Sequence, residues 1–567
     1  MFLEARSQEA HTHSPTTDSL APPQSNATEQ PDRAGGRRSA LTLARRGSLI
    51  LRFATIGCLA LATHAPAAAA GTLSGASSRH PHRMVVLTDI EADPDDTQSL
   101  VRLLLYSGEV DIQGLIATTS THMRTSVHPD SIRAVIRAYA RVRGNLLRHD
   151  PNYPRPEALE ALVKQGGAEY GMSGVGAGKD SEGSDWIIQT LETNDDRPLW
   201  VSIWGGANTL AQALYKLRAT RPAAETDRLA RRLRVYTISD QDDSGPWMRR
   251  EFPELFYVVS PGGNYGAATW TGINTVVPGI DNTTISNAWL AANIQQGHGP
   301  LGAAYPDVTW GMEGDTPSWL NLIPNGLSEP EHPEWGGWGG RYELYLPEID
   351  VSDPSTFVGE VPIEPETRPI WTNAVDDYTP PIRAEHGRAI KAGDRSFRDF
   401  KATLWRWRDD LQNDFAARMD WTTKSHEEAN HPPVPVLDHP GAFAVRSGKG
   451  FLLSARGTSD PDGDSLSYFW FHYREAGSFE GAISAGAENS MAVWVVAPKV
   501  DKPDTAHFIL RVTDKGSPTS VAIPAGDGDD HAVSPVSAAH TEVTRYDLAR
   551  FLALSADPQR AERSSFL

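Results

Sequence analysis

The chain reads as an α/β protein, a mostly parallel sheet with helices on both faces, followed by an all-β immunoglobulin-like sandwich. Three observations predict this. Short, fully apolar strands alternate with amphipathic helices over residues 84–260, the pattern of a parallel sheet covered on both faces. The carboxyl ends of those strands carry polar residues, where ligands sit in such sheets. From residue 441 the pattern changes to short alternating runs separated by turns, as in a sandwich.

The strands, in order, are Met84-Val85-Val86-Leu87-Thr88-Asp89, then 111–119 (DIQGLIATT), 198–204 (PLWVSIW), 233–239 (LRVYTIS) and 255–260 (LFYVVS). Their ends read Asp89, Thr118/Thr119, Trp204 and Ser239/Asp240, a polar rim. The α/β domain is expected over 84–428. Within it, 262–380 loosens into Gly/Trp/Pro-rich sequence, and 394–421 reads as one long helix with Phe397, Leu404, Leu411 and Phe415 on one face. Residues 429–440, opening Ala429-Asn430-His431-Pro432-Pro433, read as a linker and 441–520 as the sandwich. The tail 521–567 carries no pattern that assigns it structure.

Composition narrows the function. Lys+Arg 53 against Asp+Glu 72 leaves a net charge of −19 in 567 residues, which disfavours a nucleic-acid polymer as partner. The single cysteine, Cys58, excludes an intrachain disulfide and a Cys-rich zinc site. Residues 1–70 read as an export signal with a long polar n-region: Arg45-Arg46, an apolar run broken by Arg52, then Ala67-Ala68-Ala69-Ala70. The signal is of the Sec or twin-arginine kind, and 71–83 is a linker. The run is shorter than the ~20 apolar residues of a membrane span. The mature protein is therefore expected to be periplasmic or extracellular, with no membrane span after processing.

The most informative segment is Asp89-Ile90-Glu91-Ala92-Asp93-Pro94-Asp95-Asp96, five carboxylates just after a buried strand and before a helix. Like charges so crowded repel, and a divalent cation relieves them. Carboxylates without Cys or nearby His suit a hard ion, Ca2+ or Mg2+. The alternative is a helix N-terminus stabilised by its acids.

With Gly114-Leu115-Ile116-Ala117, Trp204-Gly205-Gly206-Ala207-Asn208, Asp240-Gln241-Asp242-Asp243 and Glu313-Gly314-Asp315, this loop resembles the inosine–uridine nucleoside hydrolase superfamily. It is similar above all to a branch of bacterial nucleoside-hydrolase-like proteins described as cellulose-binding, which add a C-terminal β-sandwich. The resemblance implies Ca2+ held by Asp89 (or Asp93), Asp96, the carbonyl of Trp204 and Asp315. It implies Asp95 on a sugar hydroxyl and an acid of the first loop, Asp89 or Asp93, as general base toward water. The register of this loop departs from the superfamily's, leaving open which of Asp89, Glu91 and Asp93 reaches the ion. The superfamily's His before the late Asp is replaced by Gly314, so Glu313 becomes the candidate general acid.

Other residues carry two readings each. Asp240 and Gln241 can bind sugar hydroxyls, or the acids of this stretch can cap a helix or pair with Arg249 and Arg250. Thr119 and Asn208 can contact substrate, or Asn208 can cap its helix. Trp335-Gly336-Gly337-Trp338 reads as an aromatic platform for sugar, with Trp338 its candidate, or as loop packing. His122 and His128 read as solvated loop histidines within reach of the pocket. Asp460-Pro461-Asp462-Gly463-Asp464, alternating acids around a glycine, can hold Ca2+ or form a tight acidic turn that closes a hairpin, and is taken as structural. The expected function is an exported, Ca2+-dependent hydrolase of a furanosyl N- or O-glycosidic bond in a nucleoside or plant-cell-wall carbohydrate. The alternative is a carbohydrate-binding protein, for cellulose or another polysaccharide, without turnover.

Overall fold

The computed structural model describes residues 80–262, 265–349, 364–383, 390–393 and 395–519, and the strands Val521–Ala522 and Phe551–Ser555. The expected export signal, most of the 71–83 linker and most of the 521–567 tail lie outside the described residues. Among the described residues no helix is long and apolar enough to cross a membrane.

The central sheet has eight strands. They are β1 (Arg83–Thr88), β2 (Asp111–Ala117), β3 (Val163–Gln165), β4 (Leu199–Ile203), β5 (Leu233–Ser239), β6 (Phe256–Ser260), β7 (Tyr342–Tyr345) and β8 (Ile370–Asn373). Their order is β3-β2-β1-β4-β5-β6-β8-β7, parallel throughout except for β7 on the edge. Every residue of β1 and β4 is buried, which explains why they read as continuous apolar runs. The period of two distributes β1 between two cores. Met84 and Val86 face a cluster with Leu103, Ile136 and Phe415, and Val85 and Leu87 face one with Ile187, Leu210 and Met248.

Helices α1 (Asp95–Leu105), α2 (Pro129–Leu146), α3 (Pro156–Ala161), α4 (Glu182–Glu192), α5 (Asn208–Thr220), α6 (Ala223–Ala230) and α7 (Ser244–Glu251) join the strands. The order of strands reverses at β1, whose neighbours are β2 and β4. A crevice opens outside the carboxyl ends of strands at such a point, and the acidic loop leaves β1 there.

The long helix expected over 394–421 is broken. Phe397–Asp399 is a strand paired with Asp376–Tyr378, and two helices follow, Ala402–Trp405 and Arg408–Asp420. Phe397 pairs with Tyr378 across this ladder and packs edge-on against Trp405, ring centroids 5.3 Å apart. Beyond it, Ser467–Tyr473 pairs with Asp504–Thr513, and Gly450–Ser454 with Ala492–Val496, both antiparallel. The two sheets enclose Leu453, Trp470, Val493, Val495, Phe508 and Leu510, the core of a sandwich. The tail adds Phe551–Ser555, parallel to Ala442–Arg446.

The start of the expected linker is packed rather than free. Ala429, Asn430 and His431 are buried, and Asn430 donates from Nδ2 to Asp514 of the sandwich at 2.9 Å. The α/β part and the sandwich belong to one compact unit. Its central tie is the buried Asp376, which accepts from Arg341 Nε (2.7 Å), Arg406 Nη1 (2.7 Å) and the Tyr473 hydroxyl (2.8 Å).

Candidate active site

The first loop is shaped by its own side chains. Thr88 donates its hydroxyl to the Asp96 carboxylate and accepts the Ile90 N–H at 3.1 Å, and buried Ile90 pins the chain. Glu91 then takes a left-handed φ of 86°. That turn sends its carboxylate to the Ser131 hydroxyl and to His128 Nδ1 at 3.2 Å, on the α2 side. Of the three acids the sequence left open, Glu91 is thereby withdrawn. Asp93, Asp95 and Asp96 stay together, with one oxygen of each within 4.8 Å of the others. Asp93 also accepts the Asp95 N–H at 3.0 Å, a local turn at the start of α1.

The late acid is delivered by a clamp onto α1. Arg102 forks Glu313 through Nε (2.5 Å) and Nη2 (3.1 Å), and Tyr305 and Thr316 donate hydroxyls to the same carboxylate at 2.8 and 3.0 Å. Glu313 has a left-handed φ of 50°, and the Gly314 N–H donates to Asp95 Oδ2 at 3.2 Å. The turn places Asp315 among the acids of the first loop. Glu313 itself, fully buried and held by a guanidinium, anchors this loop, a placement that does not offer its carboxylate to a substrate in the expected general-acid role.

Burial, and then the neighbouring carboxylates, hold Asp95, Asp96 and Asp315 well above the usual carboxylate range. Burial also raises Asp89, against the opposing hydrogen bond from Ser120. Asp315 Oδ2 is buried without a hydrogen-bond partner. The Trp204 carbonyl accepts from Gln241 Nε2 at 2.7 Å, while Gln241 Oε1 is likewise buried and unpartnered. Crowded carboxylates and unsatisfied buried oxygens, with no sulfur donor, fit a hard cation with oxygen ligands. Asp89, Asp96, Asp315 and the Trp204 carbonyl are the residues that would hold it, with Gln241 Oε1 a further donor.

Gly205 allows this packing, since a Cβ there would lie 2.6 Å from Asp89 Oδ1. Gly205→Ala should therefore displace Asp89 and weaken the binding of such a cation about 10–100-fold, read by calorimetry with Ca2+ on a protein with an unchanged circular dichroism spectrum. Wild-type affinity in that variant would separate Asp89 from the cation.

Four other expected substrate contacts are committed elsewhere. Asp240 is forked by Arg249 at 2.8 and 2.9 Å, both buried, so the ion-pairing alternative is the one realised. Asn208 accepts from the Thr118 hydroxyl (2.8 Å) and donates to Thr119 Oγ1 (3.0 Å) and the Glu169 carbonyl (2.6 Å), tying α5 to the end of β2. Thr119 is fully buried in that network. Trp338 and Trp335 are 3% and 7% exposed, so their rings pack inside and offer no platform. Capping falls to Asp242, which accepts from the backbone of Asn208 and Ser244 at 3.1 and 2.9 Å and is pushed by burial up to about 6.

The structure adds residues that sequence reasoning missed. Ser120 bonds Asp89 and accepts the His122 N–H at 2.9 Å. Tyr265 stands close enough to Asp89, Asp95, Asp93 and Asp315 that, after burial, their charges raise its hydroxyl pKa and keep it protonated. Exposed His122 lies 3.3 Å from that hydroxyl through Nε2, at the site and not in a solvated loop apart from it. No spacing marks Tyr265, which follows a Gly-Gly-Asn stretch.

Residues 83–342 match the family model of the cellulose-binding Sde182 nucleoside hydrolase-like domain, and 450–522 match that of the cellulose-binding protein Sde0182 C-terminal domain. A solved nucleoside hydrolase-related hypothetical protein from Saccharophagus degradans, associated with carbohydrate metabolism, is 31% identical. The match covers 84% of this chain and all of that one, at a TM-score of 0.65. The chain belongs to the Sde182 nucleoside hydrolase-like family. The effector protein XOO4466 and the type III effector XopQ complexed with adenosine diphosphate ribose are 13% and 14% identical. Each match covers 43% of this chain and 81% of theirs, at TM-scores of 0.23 and 0.22, too distant to bear on function. Comparison with curated proteins finds no match. Membership of the Sde182 family accounts for the pairing of a nucleoside hydrolase-like sheet with a C-terminal sandwich in one chain.

Proposed function

We propose that the protein is a calcium-dependent glycosidase acting on a furanosyl N- or O-glycosidic bond of a carbohydrate or nucleoside. The single observation that carries this is Asp315 Oδ2, buried, unpartnered and pressed against the acids of the first loop. Mere sugar binding does not need such a charged cage. Calcium, when bound, supplies a Lewis-acid centre that acidifies water and grips vicinal hydroxyls.

The chain's own residues do the rest. Asp89, its pKa raised by burial, accepts a proton from the attacking water, with Ser120 fixing its orientation. Asp95 uses one oxygen to hold the Gly314 N–H, which leaves the other for a sugar hydroxyl. Asp93, half-buried, stands beside it as the alternative base. The protonated Tyr265, with His122 Nε2 3.3 Å from its hydroxyl, is the donor assigned here to the leaving group.

The test is calcium calorimetry together with turnover of a panel of ribosides, arabinosides and oligosaccharides, with and without chelator. Chelator-sensitive release of a furanose supports the assignment.

A second reading, carbohydrate binding without turnover, is favoured by Gly314 and the clamped Glu313, which leave no acid at the position of the superfamily's histidine. The sandwich also exposes a platform of its own. Trp494 is 56% exposed and its indole lies across Gly450, flanked by exposed Leu452 and Val496. Flat rings of this kind stack on sugar faces. Trp494→Ala should cut retention on insoluble cellulose about tenfold or more, in line with one stacked aromatic anchor, while leaving furanoside turnover intact. Absence of turnover on every furanoside, with cellulose retention that survives chelator, would leave only the binder.

A further inference from the structure

A second cluster of metal-ligating side chains lies where the α/β part meets the sandwich, separate from the carboxylates and unused by the proposed chemistry. It combines His149 just after α2, His426 and His431 after the helix Arg408–Asp420, and Asp462 from the acidic turn of the sandwich. That turn is organised by Asp460, which accepts the N–H groups of Asp462 and Asp464 at 3.0 and 2.9 Å. It presents Asp462 to the buried His431, whose backbone N–H donates to Oδ2 at 2.6 Å and whose Nδ1 lies 2.9 Å from Oδ1.

Proton counting exposes an unmet need. His149 Nε2 lies 3.2 Å from the Lys424 carbonyl, which can only accept, so Nε2 carries the hydrogen and Nδ1 the lone pair. His431 Nδ1 faces a carboxylate, so by the same reasoning its lone pair is on Nε2. These two lone pairs point at each other across 2.9 Å. A cation has to lie between them, either a shared proton or a metal ion.

The surroundings favour the metal. His426 stacks on His431 with ring centroids 4.0 Å apart, and donor atoms of His426, His431 and Asp462 all lie within 4.8 Å of one another. His426 is exposed, so its ring can turn to point a nitrogen inward. Metal-bound imidazoles characteristically donate their far N–H to a carboxylate or a backbone carbonyl, and both arrangements are present here, on His431 and His149. The Trp421 indole lies parallel to His149 at 5.3 Å and closes one side.

We propose that His149 Nδ1, His431 Nε2 and His426 form a binding site for a borderline divalent transition metal such as zinc, with Asp462 orienting His431. Bonds of ~2.0–2.1 Å at tetrahedral angles set the nitrogens about 3.3 Å apart, so the two facing rings part by a few tenths of an ångström. Water or an oxygen of Asp462 takes the fourth position. The ion joins α2, the segment after the helix Arg408–Asp420 and the sandwich at one point. Imidazole nitrogen distinguishes this site from the oxygen-only cluster at the strand ends.

The experiment uses the full chain with excess Ca2+ present throughout, so that the carboxylate cluster is saturated. Co2+ is titrated in, followed by optical absorption and equilibrium dialysis, then displaced with Zn2+. One Co2+ per chain with the intense visible bands of tetrahedral nitrogen ligation is expected, lost on zinc addition. His426→Ala, at an exposed position that folding tolerates, should weaken binding about tenfold or more, and Asp462→Asn about 10–100-fold. His149→Ala should remove the tetrahedral bands. Sub-stoichiometric uptake, or unchanged affinity in both His426→Ala and Asp462→Asn, would overturn the site and leave a shared proton only between the two rings.

Discussion

Asp315→Asn should abolish calcium binding and lower furanoside turnover about 10³-fold, since a Lewis-acid centre contributes several kcal/mol and each 1.36 kcal/mol is a factor of ten. Asparagine keeps the volume and one oxygen but removes the charge that the cation answers. The variant has a second signature, in stability. In the calcium-free protein the raised carboxylates contribute stability that is fully present below their unfolded values, near 4, and lost as pH rises through their folded ones. Asp242, pushed up to about 6, adds to the same trend. Calcium-free wild type should therefore melt at a higher temperature near pH ~5 than near pH ~8, and calcium should flatten that slope. Asp315→Asn, with one buried charge fewer, should show a shallower slope without calcium and no response to it. Wild-type calcium affinity and turnover in this variant would remove Asp315 from the site and with it the catalytic assignment.

Asp376→Ala is expected to cost about 3–5 kcal/mol in urea unfolding, the price of leaving charged groups buried without their partner. Arg341 and Arg406 are 3% and 9% exposed and both spend a hydrogen bond on this carboxylate. The Tyr473 hydroxyl reaches it from the sandwich, so Tyr473→Phe should cost only about 1 kcal/mol, the value of one hydrogen bond. The ordering of the two variants tests whether the junction is held by charge or by packing of Tyr473 against Trp407, ring centroids 6.0 Å apart. A loss below about 1 kcal/mol for Asp376→Ala would assign it to packing.

The sheet was legible because strands buried on both faces cannot hide their composition. The runs at 84–88, 111–117 and 199–203 announce themselves without any tertiary knowledge. The acidic loop was legible for a similar local reason, five carboxylates in eight residues at the end of such a strand. Trp338 was not, because a Trp between glycines shows that the backbone can come close, not which protein surface covers the ring. The helix expected over 394–421 failed at Phe397, where cross-strand pairing with Tyr378 outweighed a helical spacing of apolar residues.

Local order along the chain was enough to establish a parallel sheet and the edge where the acids of its first loop collect. It could not establish which acids are neutralised by the protein itself. Arg249 reaches Asp240 from nine residues away and Arg102 reaches Glu313 across 211, whereas among the described residues no such guanidinium meets Asp89, Asp96 or Asp315. Charge pairing depends on separation in space, and folding alone brings those groups together or keeps them apart.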